Sequence, residues 1–187
     1  MSFEKALAQL KAQNARKPKP PAPPPPKERK EATVDAFRHF THVFSQAVYG
    51  AAYGDPKGYT EYLDPSPTNA DLGRALRAAL AASRFITPDH PEWDAVVRPP
   101  TADEIRAREN DLKRRAGVKT NKALYNGVGS VAVTLRDGQI ELRPLRYLGR
   151  GAWEGIRGHE PIRLPESVSD TELGDAVTAA IEISRNS

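Results

Sequence analysis

Residues 62–84, YLDPSPTNADLGRALRAALAASR, and residues 163–185, RLPESVSDTELGDAVTAAIEISR, are two versions of one segment set 101 positions apart. From Leu63 onward nine of 22 positions are identical without a gap. Leu63, Ser66, Leu72, Gly73, Ala75, Ala78, Ala79, Ser83 and Arg84 recur as Leu164, Ser167, Leu173, Gly174, Ala176, Ala179, Ala180, Ser184 and Arg185. The substitutions keep the physics. Thr68 and Ser169 can both cap a helix N-terminus, Asp71 and Glu172 both place negative charge in its first turn, and Leu76/Val177 and Leu80/Ile181 keep an apolar stripe. Each copy therefore predicts a strand running into a capped helix. Glycine inside a helix costs about 1 kcal/mol relative to alanine, so finding it early in both helices predicts close backbone packing at Gly73 and Gly174. Two copies are too few for a solenoid. The expected fold class is α/β (α+β), with two related strand-helix halves packed as one domain.

Working outward, the clearest local signal is Ser130–Pro144. Val131, Val133 and Leu135 alternate, Asp137-Gly138 supplies a two-residue turn, and Ile140 and Leu142 resume the alternation, which predicts an antiparallel hairpin in the second half. Val34–Ala47 (VDAFRHFTHVFSQA) is rich in aromatic and β-branched residues and reads as one strand with mixed faces, a helix being the rival. Tyr49–Tyr62 reads as two short extended pieces about Asp55-Pro56. Residues 87–100 hold four prolines and read as loop anchored by Trp93. Thr101 to Glu104 matches a capping box opening a charged helix that ends at Gly117. Tyr147–His159 reads as irregular around Trp153, Pro161–Leu164 as a short edge strand, and residues 170–184 as the last helix.

The charge is uneven. The chain of 187 residues carries +4 overall, but residues 1–31 hold eight basic and three acidic side chains, +5, and the remaining 20 basic and 21 acidic residues leave the body at −1. Seven prolines occupy residues 18–26, a run that favours extended polyproline II, after a stretch with Phe3, Leu7 and Leu10 at helical spacing. The expected organisation is a disordered basic Pro-rich tail at 1–32 and an α/β domain at 33–187. No window approaches the roughly 20 apolar residues of a spanning helix, and no secretory signal opens the chain, so no membrane partner and a cytoplasmic address are expected.

Reaction chemistry finds little to work with. Without cysteine there is no thiolate, disulfide or Cys-type metal site. His39 and His42 would point to opposite faces of a strand, though they would be neighbours on a helix, and the phosphate-loop, dinucleotide, nucleophile-elbow and zincin motifs do not occur. No enzyme activity, cofactor, metal or small-molecule substrate is expected. Arg143, Arg146, Tyr147, Arg150, Trp153 and Arg157 interleave cations and aromatics, a pattern that suits an RNA-binding adaptor. Glu141, Glu154 and Glu160 dilute it, so nucleic acid is the alternative partner rather than the expected one.

The run Lys122–Arg185, with KALYNGVGSVAVTL, RPLRYL, AWEGI and LPESVSDTELGDAVTAAIEISR, resembles the immunity proteins of bacterial contact-dependent growth inhibition. YGAAYGDPKGY followed by DLGRALRAALAASR resembles the N-terminal half of the same family, so the likeness covers residues 34–185. Leu72, Gly73, Trp153, Gly155, Leu173 and Gly174 carry it; the proline-rich leader departs from it. The resemblance implies a noncatalytic cytosolic α/β protein that binds and neutralises the toxic C-terminal domain of a cognate toxin, often a nuclease. A phosphate-binding toxin would be basic, so its inhibitor should offer carboxylates. The candidate contact residues are Asp55, Asp89, Glu92 and Asp94, with Tyr59 and Trp93 as aromatic anchors alongside Tyr53.

Overall fold

The computed structural model describes residue 4, residues 24–149 and residues 151–187. Apart from Glu4, the helix read over residues 3–13 lies outside these residues, as do the first prolines of the run and Arg150. The strands are β1 (Lys30–Ala36), β2 (Thr41–Tyr49), β3 (Ala51–Gly54), β4 (Thr60–Leu63), β5 (Arg84–Phe85), β6 (Gly129–Arg136), β7 (Gln139–Gly149), β8 (Ala152–Gly155) and β9 (Ile162–Pro165). The helices are α1 (Asn69–Ala82), α2 (Trp93–Val96), α3 (Ala102–Ala116), α4 (Asn121–Leu124) and α5 (Asp170–Arg185). One sheet runs β3-β2-β1-β6-β7-β8, with β4 and the parallel β5 beside β2 and β9 beside β7.

Three readings need correction. Val34–Ala47 is not one strand: the chain turns at the exposed Arg38 and His39, Phe37 N–H donates to the Phe40 carbonyl at 2.9 Å, and β1 pairs back on β2 from Ala36↔Thr41 to Glu31↔Gln46. Both strands are covered on both faces, which is why neither face looked clean. The folded body begins at Lys30, inside the stretch read as tail, because Lys30 and Glu31 join the ladder through backbone pairing with Leu135 and Thr134 whatever their polarity. In addition, β7 runs on to Gly149 and turns into β8, so the Trp153 region is a hairpin rather than irregular.

The predicted hairpin forms, with Asp137 and Gly138 at φ 52° and 73° between Arg136 and Gln139. Thr68, Thr101 and Ser169 cap α1, α3 and α5. α1 and α5 lie side by side on one face of the sheet. There Leu72, Leu76, Leu173 and Val177 meet Val34, Val43, Val131 and Ile140, all buried and each contributing about 2 kcal/mol by leaving water.

The repeat is larger than the sequence shows, because the two halves share their strand pairings as well. Thr33 faces Phe44 where Ala132 faces Arg143; His42 faces Tyr62 where Glu141 faces Arg163; Gln46 faces Gly54 where Leu145 faces Gly155. Thr33 and Ala132 are themselves opposite each other at the join of β1 and β6, so a pseudo-two-fold axis passes between them. Across this axis a Cβ on Gly73 would stand 2.9 Å from Asp170 Cα, and one on Gly174 would stand 2.7 Å from Asn69 Cα. Asn69 and Asp170 are equivalent residues, so the contact is isologous, like the interface of a symmetric dimer. The repeated serines also do one job twice. Ser83 Oγ accepts from Glu31 N–H at 2.9 Å and donates to the Gln46 carbonyl at 2.8 Å. Ser184 Oγ accepts from Ser130 N–H at 2.8 Å and donates to the Leu145 carbonyl.

Candidate functional site: a cleft between sheet and helix

Among the described residues, the second face of the sheet is covered on one side only, by the insert that follows α1. Within it α3 builds itself: Thr101 and Glu104 close a capping box, and Gly117 ends the helix at φ 65°. Its apolar contact is confined to the last turns, where Leu112 and Ala116 join Phe37, Phe40, Leu124 and Val128. The first half stands off the sheet and roofs a cleft of about 660 Å³. Thr33, Asp35, Phe44, Gln46, Ser130 and Leu145 form the floor, while Ile105, Arg108 and Glu109 line it from the helix. Asp55, Pro56, Val96 and Arg98 edge one side, and Tyr125 and Trp153 another.

Stacked rings and cations tie α3 down. Arg115 lies 3.9 Å from the Tyr62 ring centroid, Tyr62 stacks on His42 at 4.4 Å, His42 on Phe44 at 4.6 Å, and Arg108 lies 5.1 Å over Phe44. Arg108 and Arg115 are seven residues apart, two turns of one helix face, so they hold both ends of the stack. Burial, and then the charges of Arg108 and Arg115, push the His42 imidazole down to about 3. Its Nε2 lies 2.8 Å from Thr60 Oγ1, and its buried Nδ1 meets no partner among the described residues.

Asp35 is the buried charge of the floor. Ser130 Oγ donates to it at 2.7 Å and Arg108 stands 3.7 Å away. Burial raises its carboxyl above the ordinary range against the opposing pull of Arg108 and Ser130. Sequence reading passed over this residue. The available signal was an acid inside an apolar strand, which needs a partner or a purpose.

The sequence candidates separate into three groups. Asp55 and Glu92 are brought together, but by Arg84: its Nε and Nη2 hold Asp55 at 2.7 and 2.5 Å, its Nη1 holds Glu92 at 2.7 Å, and Lys57 also pairs with Glu92. Burial pushes the Asp55 carboxyl up, but the Arg84 and Lys57 hydrogen bonds outweigh it and hold the group below its usual range. Lys57 and Arg84 bring Glu92 to about 2. Trp93 and Tyr59 serve packing. Trp93 meets Tyr49 edge-on at 4.9 Å against the Ala47, Ile86 and Val96 cluster, as its anchoring role predicted, and Tyr59 packs on the main core while its hydroxyl donates to Glu61. Asp89 and Asp94 remain as exposed carboxylates of the same loop.

The arginine-aromatic segment is committed internally. Arg143 pairs with Glu141 at 2.8 Å and Arg146 with Glu154, while Tyr147 stacks on Tyr125 at 4.8 Å and packs on Trp153 at 5.0 Å. Those rings are not presented as platforms for bases. Among the described residues no helix is long and apolar enough to cross a membrane.

Residues 30–184 match the model of the CdiI family, CDI immunity proteins. The match begins on the first residue of β1. The immunity protein CdiI-YPIII of Yersinia pseudotuberculosis serotype O:3 (strain YPIII) is 26% identical over 164 residues, covering 80% of this chain and 92% of that protein. A protein of unknown function from Neisseria meningitidis has the same fold, with a TM-score of 0.72 and 25% identity over 83% of this chain and 95% of its own. A chain in the CdiA-CT/CdiI toxin and immunity complex from Yersinia pseudotuberculosis superposes with a TM-score of 0.69 at 24% identity, covering 85% of this chain and 98% of that one. With the family model spanning nearly the whole described body, this chain belongs to the CdiI family of CDI immunity proteins.

Proposed function

We propose that this protein binds the toxic C-terminal domain of a cognate contact-dependent growth inhibition toxin and blocks it by occupancy, in the cytoplasm and with no reaction of its own. One observation carries the reading: a capped helix, packed on the body through its last turns, stands over a large cleft and leaves a concave face with a buried carboxylate on its floor. Two segments joined through Arg84, the turn of Asp55 and Tyr59 and the stretch of Asp89, Glu92, Trp93 and Asp94, adjoin this cleft; Asp55 stands at its edge, Asp89 and Asp94 carry the accessible negative charge, and Tyr59 packs on the core. A toxin that holds phosphates, as a nuclease would, presents basic groups to such a rim and is steered towards it.

Co-expression with the toxin domain encoded beside this protein tests the reading: growth is rescued and the two chains purify as one complex. Free growth of the toxin-producing cells without a complex would support it no further than an inactive toxin, so the toxin alone must arrest growth in the same strain. Reversing Asp89 and Asp94 to lysine slows association about ten-fold at low salt. An unchanged rate removes these two carboxylates from the interface.

A further inference from the structure

We propose that Asp35 is the receptor for a basic side chain, lysine or arginine, of the docked toxin domain, and that Arg108 of α3 is an internal stand-in which that side chain displaces. The inference rests on the docking reading above and names its contact. Asp35 lies on a central strand at the floor of the cleft, with 5% of its side chain exposed. Ser130 Oγ occupies one carboxylate oxygen at 2.7 Å. The other is faced by Arg108 at 3.7 Å, beyond hydrogen-bond reach.

Among the described residues only the exposed Arg136–Asp137 pair is as loose, at 3.7 Å, and no other buried carboxylate is held so distantly. Arg84 holds Asp55 at 2.5 Å, Arg77 holds Asp170 at 2.6 Å and Arg98 holds Glu104 at 2.6 Å. Arg108 itself is 58% exposed, sits on the part of α3 that roofs the cleft, and divides its guanidinium between Asp35 and the Phe44 ring. A buried carboxylate normally demands a close partner. Here the partner is distant and more than half in solvent, so an incoming cation can take its place.

The duplicated fold shows that the architecture does not need this acid. The equivalent position in the second half, fixed by the shared register of the two hairpins, is Thr134, which sits in the same ladder without charge. The other groups facing Asp35 suit an incoming cation: Ser130 is a neutral hydroxyl, and His42, opposite it in register on β2, is neutral. Glu109 adds a further carboxylate to the cleft lining, where Asp55 and Glu104 are held by Arg84 and Arg98.

Three variants measured against the toxin domain encoded beside this protein test the assignment. Asp35→Asn weakens binding at least about 100-fold, while its thermal midpoint at neutral pH stays equal to or above that of the parent protein, because a poorly compensated buried charge has been removed. Arg108→Gln tightens binding several-fold by vacating the carboxylate. Ile105→Trp, on an exposed position of the helix wall, blocks the cleft without touching Asp35. If Ile105→Trp abolishes binding and Asp35→Asn does not change it, the receptor role of Asp35 is wrong and cleft docking stands. If neither alters affinity, cleft docking itself is wrong. If Asp35→Asn and Arg108→Gln lower the midpoint and weaken binding in parallel, the pair is structural and the assignment is overturned.

Discussion

Apart from β5, the two halves of this molecule have the same strand pairings, yet their outer faces contrast. On the first half, Tyr62, His42 and Phe44 form a ring stack beneath Arg115 and Arg108 of α3. At the equivalent positions of the second half, Arg163, Glu141 and Arg143 form an ion-paired ladder open to solvent, with Glu141 holding Arg143 at 2.8 Å and Arg163 at 3.2 Å. Two pairs of helix residues, in contrast, have stayed the same: Gly73 and Gly174, which pack across the pseudo-two-fold axis, and Ser83 and Ser184, which tie each helix to its own hairpin. The two glycine contacts lie in one helix-helix junction, so a Cβ added at either would push the same two backbones apart. An outer face answers only to what covers it. The insert after α1 covers one half, and among the described residues the other is left exposed.

That contrast can be broken in order of effect. Gly73→Ala or Gly174→Ala drives a Cβ into the partner helix backbone and should cost about 3 kcal/mol in urea unfolding, equally in both halves. A cost below about 1 kcal/mol would show that the helices can separate. His42 is next. Its folded imidazole titrates near 3 against an ordinary 6.5, so the unfolded chain takes a proton that the folded chain refuses. Stability is therefore full above pH 6.5 and falls by about 1.4 kcal/mol per unit as pH drops towards 3, or about 2 kcal/mol by pH 5. His42→Phe keeps the stack and should remove that slope between pH 6.5 and 5; an unaltered slope would place the acid sensitivity elsewhere.

Ser83→Ala and Ser184→Ala each strand an N–H of a central strand and should cost about 1.5 kcal/mol, again in matched amounts. The smallest effects separate the outer faces. Arg115→Ala loses its stacking on Tyr62 and should cost about 0.5–1 kcal/mol, whereas Arg163→Ala, an exposed pair on the open half, should be close to neutral. Equal costs for these two would mean that α3 confers no shielding on its side.

Much of the scaffold was legible because its signals are local. The Asp137-Gly138 turn, the caps at Thr68, Thr101 and Ser169 and the stop at Gly117 are each decided by a few adjacent residues. The close packing at Gly73 and Gly174 was legible because glycine in a helix has a cost that must be offset by something nearby. The turn at Arg38 and His39 was hidden by aromatic residues on both sides, which serve two different cores: Phe37 and Phe40 pack under α3, Val34 and Val43 under α1 and α5. The acidic loop was located, but Arg84, which neutralises Asp55 and Glu92, lies 29 and eight residues away along the chain and was read only as part of the repeat.

From its own order of residues, this protein declared a doubled strand-helix scaffold, the capped ends of its three long helices and a hairpin, since propensity, capping and turn geometry act over a few residues. Which carboxylates are spoken for, which aromatic rings hold a helix rather than a partner, and that Asp35 lies at the bottom of a cleft were decided by tertiary structure. Pairing and burial depend on side chains brought together from distant segments, and no local pattern encodes that meeting.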